Sequence, residues 1–235
     1  MIKFITGLPG SGKTYYLAKT MIEILARRGE REFKREIFSN VKLNLEKDDS
    51  RYHYLPNNDV GREMLKARDG VIFLDEGQIW FNSRYWESLD ADFQYKLGQH
   101  RHERLDFVLA TQNEARIDVL MRELVGEFYH CKKIIGSNDQ RLDNLNLSSE
   151  ERLKRTWGLI KVSEYWPEDM KKKDGVRQSI SSEFFFLKKD IMLAYDSYAK
   201  NIKPDSIKKH LHMVYDVCDV CAGAGKKLLY KKFAD

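Results

Sequence analysis

The most constraining feature of this chain lies at its start. Gly7-Leu8-Pro9-Gly10-Ser11-Gly12-Lys13-Thr14 is a complete Walker A pattern. An apolar run, Ile2 to Thr6, precedes it, and Tyr16, Leu17, Thr20, Met21, Ile24 and Leu25 follow at helical spacing. Strand, glycine turn and helix is the setting this motif needs. Glycines let the main chain curve until successive N–H groups converge on phosphate oxygens, and the positive end of the following helix favours that charge. Gly7, Pro9, Gly10, Ser11, Gly12, Lys13, Thr14 and Tyr15 are therefore the candidate nucleotide contacts. Lys13 is expected on the β- and γ-phosphates, and the Thr14 hydroxyl on Mg²⁺.

A metal-bearing loop of this kind needs one carboxylate from a neighbouring strand tip, because Mg²⁺ takes few protein ligands beside water and phosphate. Gly70 opens Val71-Ile72-Phe73-Leu74, an unbroken apolar run typical of a strand covered on both faces, and it ends in Asp75-Glu76. Asp75 is the metal-side candidate and Glu76 the candidate base for the attacking water. Phe107-Val108-Leu109-Ala110 ends in Thr111-Gln112. These two either sense the γ-phosphate and hold the lytic water, or merely satisfy main-chain groups at a strand end. Arg101, Arg104, Arg116 and Arg122 are candidates to reach a neighbouring subunit's γ-phosphate, Arg101 foremost.

Strands are expected at Ile2 to Thr6, Glu36 to Val41, Val71 to Leu74, Phe107 to Ala110 and Glu127 to Ile135. Helices are expected from near Lys13 to near Arg27-Arg28-Gly29, and at Asp59 to Ala67, Asp90 to His102 and Asp118 to Val125. This alternation argues an α/β three-layer sandwich with a mostly parallel sheet. After a polar boundary at Gly136 to Ser149 the style changes. Strand-like Thr156 to Glu164 and Ser179 to Leu187 flank a lysine-rich turn, and helical segments follow at Asp190 to Ala199 and Asp205 to Leu211. The resulting division is a core over 1–147, a hairpin and helix packed on it over 148–203, and a tail over 204–235.

Composition adds bounds. The 235 residues carry 41 basic and 36 acidic side chains in interleaved order, a net charge of +5 that permits nucleic acid as a partner without demanding it. Three cysteines, an odd number, argue against a disulfide scaffold and for a reducing cytosol. No stretch approaches the roughly 18 to 20 apolar residues of a membrane span, and the N-terminus lacks the features of a secretory signal.

Three weaker signals complete the reading. Cys218-x-x-Cys221-x-Gly223-x-Gly225 is half of a zinc-knuckle pattern, which His210 and His212 would complete. Free thiols are the competing explanation, whereas Cys131 reads as a core residue in a strand. Lys171 to Lys173, Lys226-Lys227 and Lys231-Lys232 are either solvated turns and tails or contacts to DNA or lipid phosphates. Trp80, Phe81, Tyr85 and Trp86 suit stacking on a base or partner, and core packing equally.

Together these residues resemble the additional-strand, catalytic-glutamate division of P-loop ATPases and, more narrowly, the zonular occludens toxin family with its filamentous-phage assembly ATPases. The likeness is carried by Gly7 to Thr14, Phe73-Leu74-Asp75-Glu76-Gly77-Gln78, and His100-Arg101-His102 before Asp106-Phe107-Val108-Leu109-Ala110-Thr111-Gln112. Ile191-Met192-Leu193-Ala194-Tyr195-Asp196-Ser197-Tyr198 resembles the family's closing tyrosine-aspartate element. The resemblance implies a strand order of 5-1-4-3-2, counting the five core strands along the chain. It also implies an ATPase using ATP and Mg²⁺ to drive assembly and extrusion of filamentous phage. The partners it implies are further copies of itself, phage coat or assembly proteins, and DNA. A DNA translocase, packaging or helicase-like ATPase acting directly on nucleic acid is the alternative. Family members commonly carry a transmembrane helix after the ATPase region and this chain offers none. The expectation is a cytoplasmic protein, either a soluble variant or one held peripherally at a bacterial inner membrane through an anchor on a partner chain.

Overall fold

The structure, a computed structural model, describes residues 1–27, 35–45, 49–56, 60–82, 91–137, 148, 151, 154–171 and 178–195. Its strands are β1 (Ile2–Thr6), β2 (Glu36–Ser39), β3 (Tyr52–Tyr54), β4 (Gly70–Leu74), β5 (Asp106–Thr111), β6 (Val125–Gly136), β7 (Gly158–Tyr165) and β8 (Ser181–Phe186). The helices are α1 (Lys13–Ala26), α2 (Val60–Lys66), α3 (Ala91–Gln99), α4 (Val119–Glu123), α5 (Pro167–Lys171) and α6 (Lys189–Leu193).

One sheet of eight strands runs β3-β2-β4-β5-β1-β6-β7-β8. Its first six strands are parallel, and β7 and β8 continue it antiparallel. The expected 5-1-4-3-2 order is present intact within it, as β6-β1-β5-β4-β2. Two features correct the sequence reading. Tyr52 to Tyr54, where no strand is expected, pairs with β2 as a parallel edge strand. The C-terminal hairpin does not pack on the sheet but extends it, because β7 pairs along the length of β6 from Phe128↔Tyr165 to Gly136↔Gly158.

Both faces of the central strands are covered, which is why β4 is buried at every position and β1 at all but Lys3. On one face α2, α3 and α4 contribute Val60, Met64, Leu97 and Met121 to a core with Phe4, Ile72, Phe107 and Leu109. On the other, α1 buries Leu17, Ala18, Met21 and Leu25 against Ile5, Phe73, Val108 and Ile160, and Ile191 of α6 packs alongside. The spacing of those α1 residues keeps them on one side of the helix.

Helix α3 stops at Gln99, short of the expected His102. His100 turns inward, buried, with its ring nitrogen 2.6 Å from the Leu97 carbonyl and its ring edge-on to Phe107. His100 is thus architectural here, closing the turn before β5. Helix α6 is tied at both ends. The Lys188 N–H donates to the Tyr15 hydroxyl (3.0 Å), the Asn44 N–H donates to the Ala194 carbonyl (2.7 Å), and Tyr195 bridges to Leu43. Among the described residues no helix is long and apolar enough to cross a membrane. The lysine-rich turn beyond Lys171, Tyr85, Trp86 and everything after Tyr195, including Cys218, Cys221, His210 and His212, lie outside the described residues.

Candidate functional site

Because β1, β4 and β5 are parallel, the segments after Thr6, Leu74 and Thr111 emerge at the same end of the sheet. The glycine loop follows β1 there and feeds α1. Gly7, Gly10 and Gly12 have positive φ values of 152°, 72° and 93°, and Gly10 and Gly12 lie where a side chain is strained. A Cβ on Gly12 would fall 2.1 Å from Ile160 Cδ1, so β7 closes the loop from the side. Gly12 is the N-cap of α1 and supplies no side-chain cap, and no acidic side chain stands in the first turn. The helix's leading N–H groups are therefore not capped by a side chain from the loop or from the helix's own first turn.

Lys13 is buried, and its ammonium donates to the carbonyls of Gly7 (3.0 Å) and Leu8 (3.1 Å) across the loop. Ser11 Oγ is buried in the loop without a hydrogen-bond partner. The Thr14 hydroxyl donates to Asp75 Oδ2 at 2.7 Å, which brings together the two residues proposed from sequence to flank the metal. Burial pushes the Asp75 carboxyl above the ordinary carboxylate range. The Thr14 hydrogen bond opposes that shift, and the neighbouring Glu76 charge adds to it.

Glu76 stands in the left-handed region (φ 52°, ψ 47°), a conformation that costs a non-glycine residue about 1–2 kcal/mol. Its surroundings hold it there. The Glu76 N–H donates to Asp75 Oδ1 (3.0 Å), Gln78 Nε2 donates to one carboxylate oxygen, and Gln112 Nε2 approaches the other at 3.4 Å. The strand-end pair Thr111 and Gln112 thus divides. Thr111 Oγ1 donates to the Asn113 carbonyl and accepts from its N–H, a turn-closing role, whereas Gln112 reaches Glu76.

Two candidate side chains lie away from this chain's own nucleotide loop. Tyr15 is buried, stacked on Phe185 at 5.6 Å with its hydroxyl on Lys188, so its side chain belongs to the core and not to the nucleotide loop. Arg101 lies in the turn before β5 together with Arg104, which pairs with Asp69, at the opposite end of the sheet from this chain's own loop. Arg116, exposed in the turn after Gln112, is at the loop end, and Arg122 is half-buried on α4. Trp80 and Phe81 pack into the core, which settles that pair in favour of packing.

Sequence reasoning missed Asn40. Its side-chain amide accepts from the Asp75 N–H (2.8 Å) and donates to the Asp75 carbonyl (3.0 Å). The available signal was a polar residue directly past the end of β2, two positions after Ile37-Phe38, as Asp75 is directly past the end of β4. Gln78 was noted only as part of a resemblance and Ile160 only as part of a strand, because nothing local in sequence ties either to the loop.

The residues present fit magnesium nucleotide. They comprise a loop with an unpartnered buried hydroxyl, an uncapped helix start, a buried ammonium, and a hydroxyl–carboxylate pair. Among the described residues no three His, Cys, Asp or Glu side chains gather to form a metal cluster. Magnesium on phosphate oxygens does not need one.

The profile of the zonular occludens toxin (Zot) family matches residues 1–200. The chain belongs to the Zot family. No curated protein sequence matches it. Among solved structures, this Zot-family chain is similar to the N-terminal domain of zonular occludens toxin from Neisseria meningitidis. That match has 22% identity and a TM-score of 0.49, and covers 83% of this chain and 98% of that one. It is also similar to the genome packaging NTPase B204 of Sulfolobus turreted icosahedral virus 2 in complex with AMP, at 17% identity and a TM-score of 0.44, covering 76% and 95%. The VirB11 ATPase of the Brucella suis type IV secretion system matches at 16% identity and a TM-score of 0.33, covering 57% and 44%.

Proposed function

We propose that this Zot-family chain is an ATP-hydrolysing, Mg²⁺-dependent motor that powers assembly and extrusion of filamentous phage or a similar protein–DNA filament. The observation that carries the reading is the Thr14–Asp75 contact beside a Glu76 carboxylate held by two glutamines. In this role Lys13 leaves the loop carbonyls for phosphate oxygens, and Thr14 and Asp75 would hold the magnesium. That ion, when bound, neutralises charge on the phosphates. Gln112 and Gln78 orient Glu76, which takes the proton of the water attacking the γ-phosphorus as the bond to the leaving diphosphate oxygen breaks.

The motor reading further assigns a homo-oligomer, phage coat or assembly proteins, and a membrane-anchored partner chain that keeps the protein peripheral at the inner membrane. Arg101, far from its own loop, would act on a neighbouring subunit. Lys13→Ala should abolish nucleotide binding or turnover, and Glu76→Gln should bind nucleotide without hydrolysing it. Wild-type turnover in Glu76→Gln removes Glu76 from its role. Mixing Arg101→Ala with Glu76→Gln subunits tests action across the interface, which restored activity supports and strict inactivity opposes. Strong stimulation of turnover by bare single- or double-stranded DNA would instead favour a translocase or packaging motor.

A further inference from the structure

We propose that Asn40 is a positioning residue for the metal side of the site, holding Asp75 by its main chain so that the carboxylate faces Thr14. This rests on the reading above. The β2–β4 ladder ends at the Ser39↔Phe73 pair, and the Asn40 N–H reaches the Phe73 carbonyl only at 3.4 Å. Asp75 lies one residue past the end of β4, where no strand residue remains opposite it. The Asn40 side chain takes over that place. Its planar amide offers one acceptor and one donor, and both meet the Asp75 peptide groups.

The clamp is itself held. The Val41 N–H donates to Ser39 Oγ (3.1 Å), and the Tyr52 hydroxyl donates to the Val41 carbonyl (2.5 Å) and accepts from the Leu43 N–H (3.0 Å). The turn that presents Asn40 is thereby pinned to β3. On the other side of Asp75, Glu76 sits in a strained left-handed conformation. A two-point grip on the Asp75 peptide groups beside that strain fixes the direction of the side chain without touching the metal. Groups that orient a metal ligand in this way commonly matter nearly as much as the ligand.

The test uses the full chain and a nonhydrolysable ATP analogue, with Mn²⁺ as the probe read by electron paramagnetic resonance of the free ion. Asn40→Ala is expected to weaken Mn²⁺ binding in the presence of the analogue about 10- to 100-fold, while analogue binding in EDTA stays within about two-fold of wild type. The Mg²⁺ concentration for half-maximal turnover should rise in parallel. If Asn40→Ala does not fold, Asn40→Ser, which stays polar and uncharged but is too short to span both Asp75 peptide groups, should shift Mn²⁺ binding in the same direction. A folded variant with wild-type Mn²⁺ affinity overturns the inference and leaves the nucleotide site standing. Wild type that binds the analogue but takes up no Mn²⁺ with it overturns the inference in the same way. Wild type that binds no analogue overturns the inference and the proposed function together.

Discussion

Replacing Gly12 by alanine tests the packing between the glycine loop and the antiparallel extension. The new Cβ would lie 2.1 Å from Ile160 Cδ1, where ordinary contacts begin near 3.4 Å, and Gly12 already has φ 93°. Two costs should add. A side chain in the left-handed region costs about 1–2 kcal/mol, and overpacking a buried contact about 1–3 kcal/mol. For a chain of this size that total of about 2–5 kcal/mol corresponds to a loss of roughly 5–15 °C in Tm. Ile160→Val removes the clashing methyl at a cost of its own of about 0.5–1.5 kcal/mol. In that background Gly12→Ala should cost only the conformational share, leaving a coupling of about 1–3 kcal/mol between the two sites. Urea denaturation of the four proteins, followed by tryptophan fluorescence, measures it. Equal costs of Gly12→Ala in both backgrounds would refute the claim that β7 walls the loop.

Further outcomes are expected elsewhere. Asp75→Asn should hold or raise Tm in EDTA while losing the extra stabilisation given by magnesium nucleotide. The folded-state pKa of Asp75 lies above the unfolded one, so this group favours the fold when protonated and that contribution is lost as pH rises, leaving the ionised form a net cost at neutral pH. A marked fall in Tm would contradict this. Cys131 is buried with its thiol pushed up to about 12 by burial, so peptide mapping after alkylation at neutral pH should find it unlabelled until urea unfolds the chain. Lys96→Met should cost about 1.5–3 kcal/mol in urea unfolding. It removes one of two donors from the Leu65 and Ala67 carbonyls at the end of α2, both of which keep Arg68, and breaks the pair with Glu103, which also keeps Arg68. A loss below about 1 kcal/mol would show that water replaces the ammonium.

Local signals carried most of the fold and much of the site. Val71 to Leu74 was readable because a strand covered on both faces must be apolar throughout, and the loop because its glycines and Lys13 stand together in the chain. What escaped depends on pairing across long separations. The alternation in residues 156–164 and 179–187 announces strands, but which edge they join is set by the register with β6, which periodicity does not encode. Tyr52 to Tyr54 is too short to show a period, and its pairing with β2 is what makes it a strand. Asn40 meets Asp75 across 35 positions of chain, so its role is visible only once β2 and β4 lie side by side. Thr111 and Gln112 are chemically alike at strand ends, and only the position of Glu76 separates them.

Ile160 belongs to a strand that begins after residue 157, yet its methyl group sits against the second residue before Thr14. A fragment cut at residue 147 would keep every amino acid of the Walker A motif and both acidic residues but leave one flank of the phosphate loop bare to water. The side wall of the phosphate loop is therefore lent by β7, a strand that follows the loop and both acidic residues in the chain.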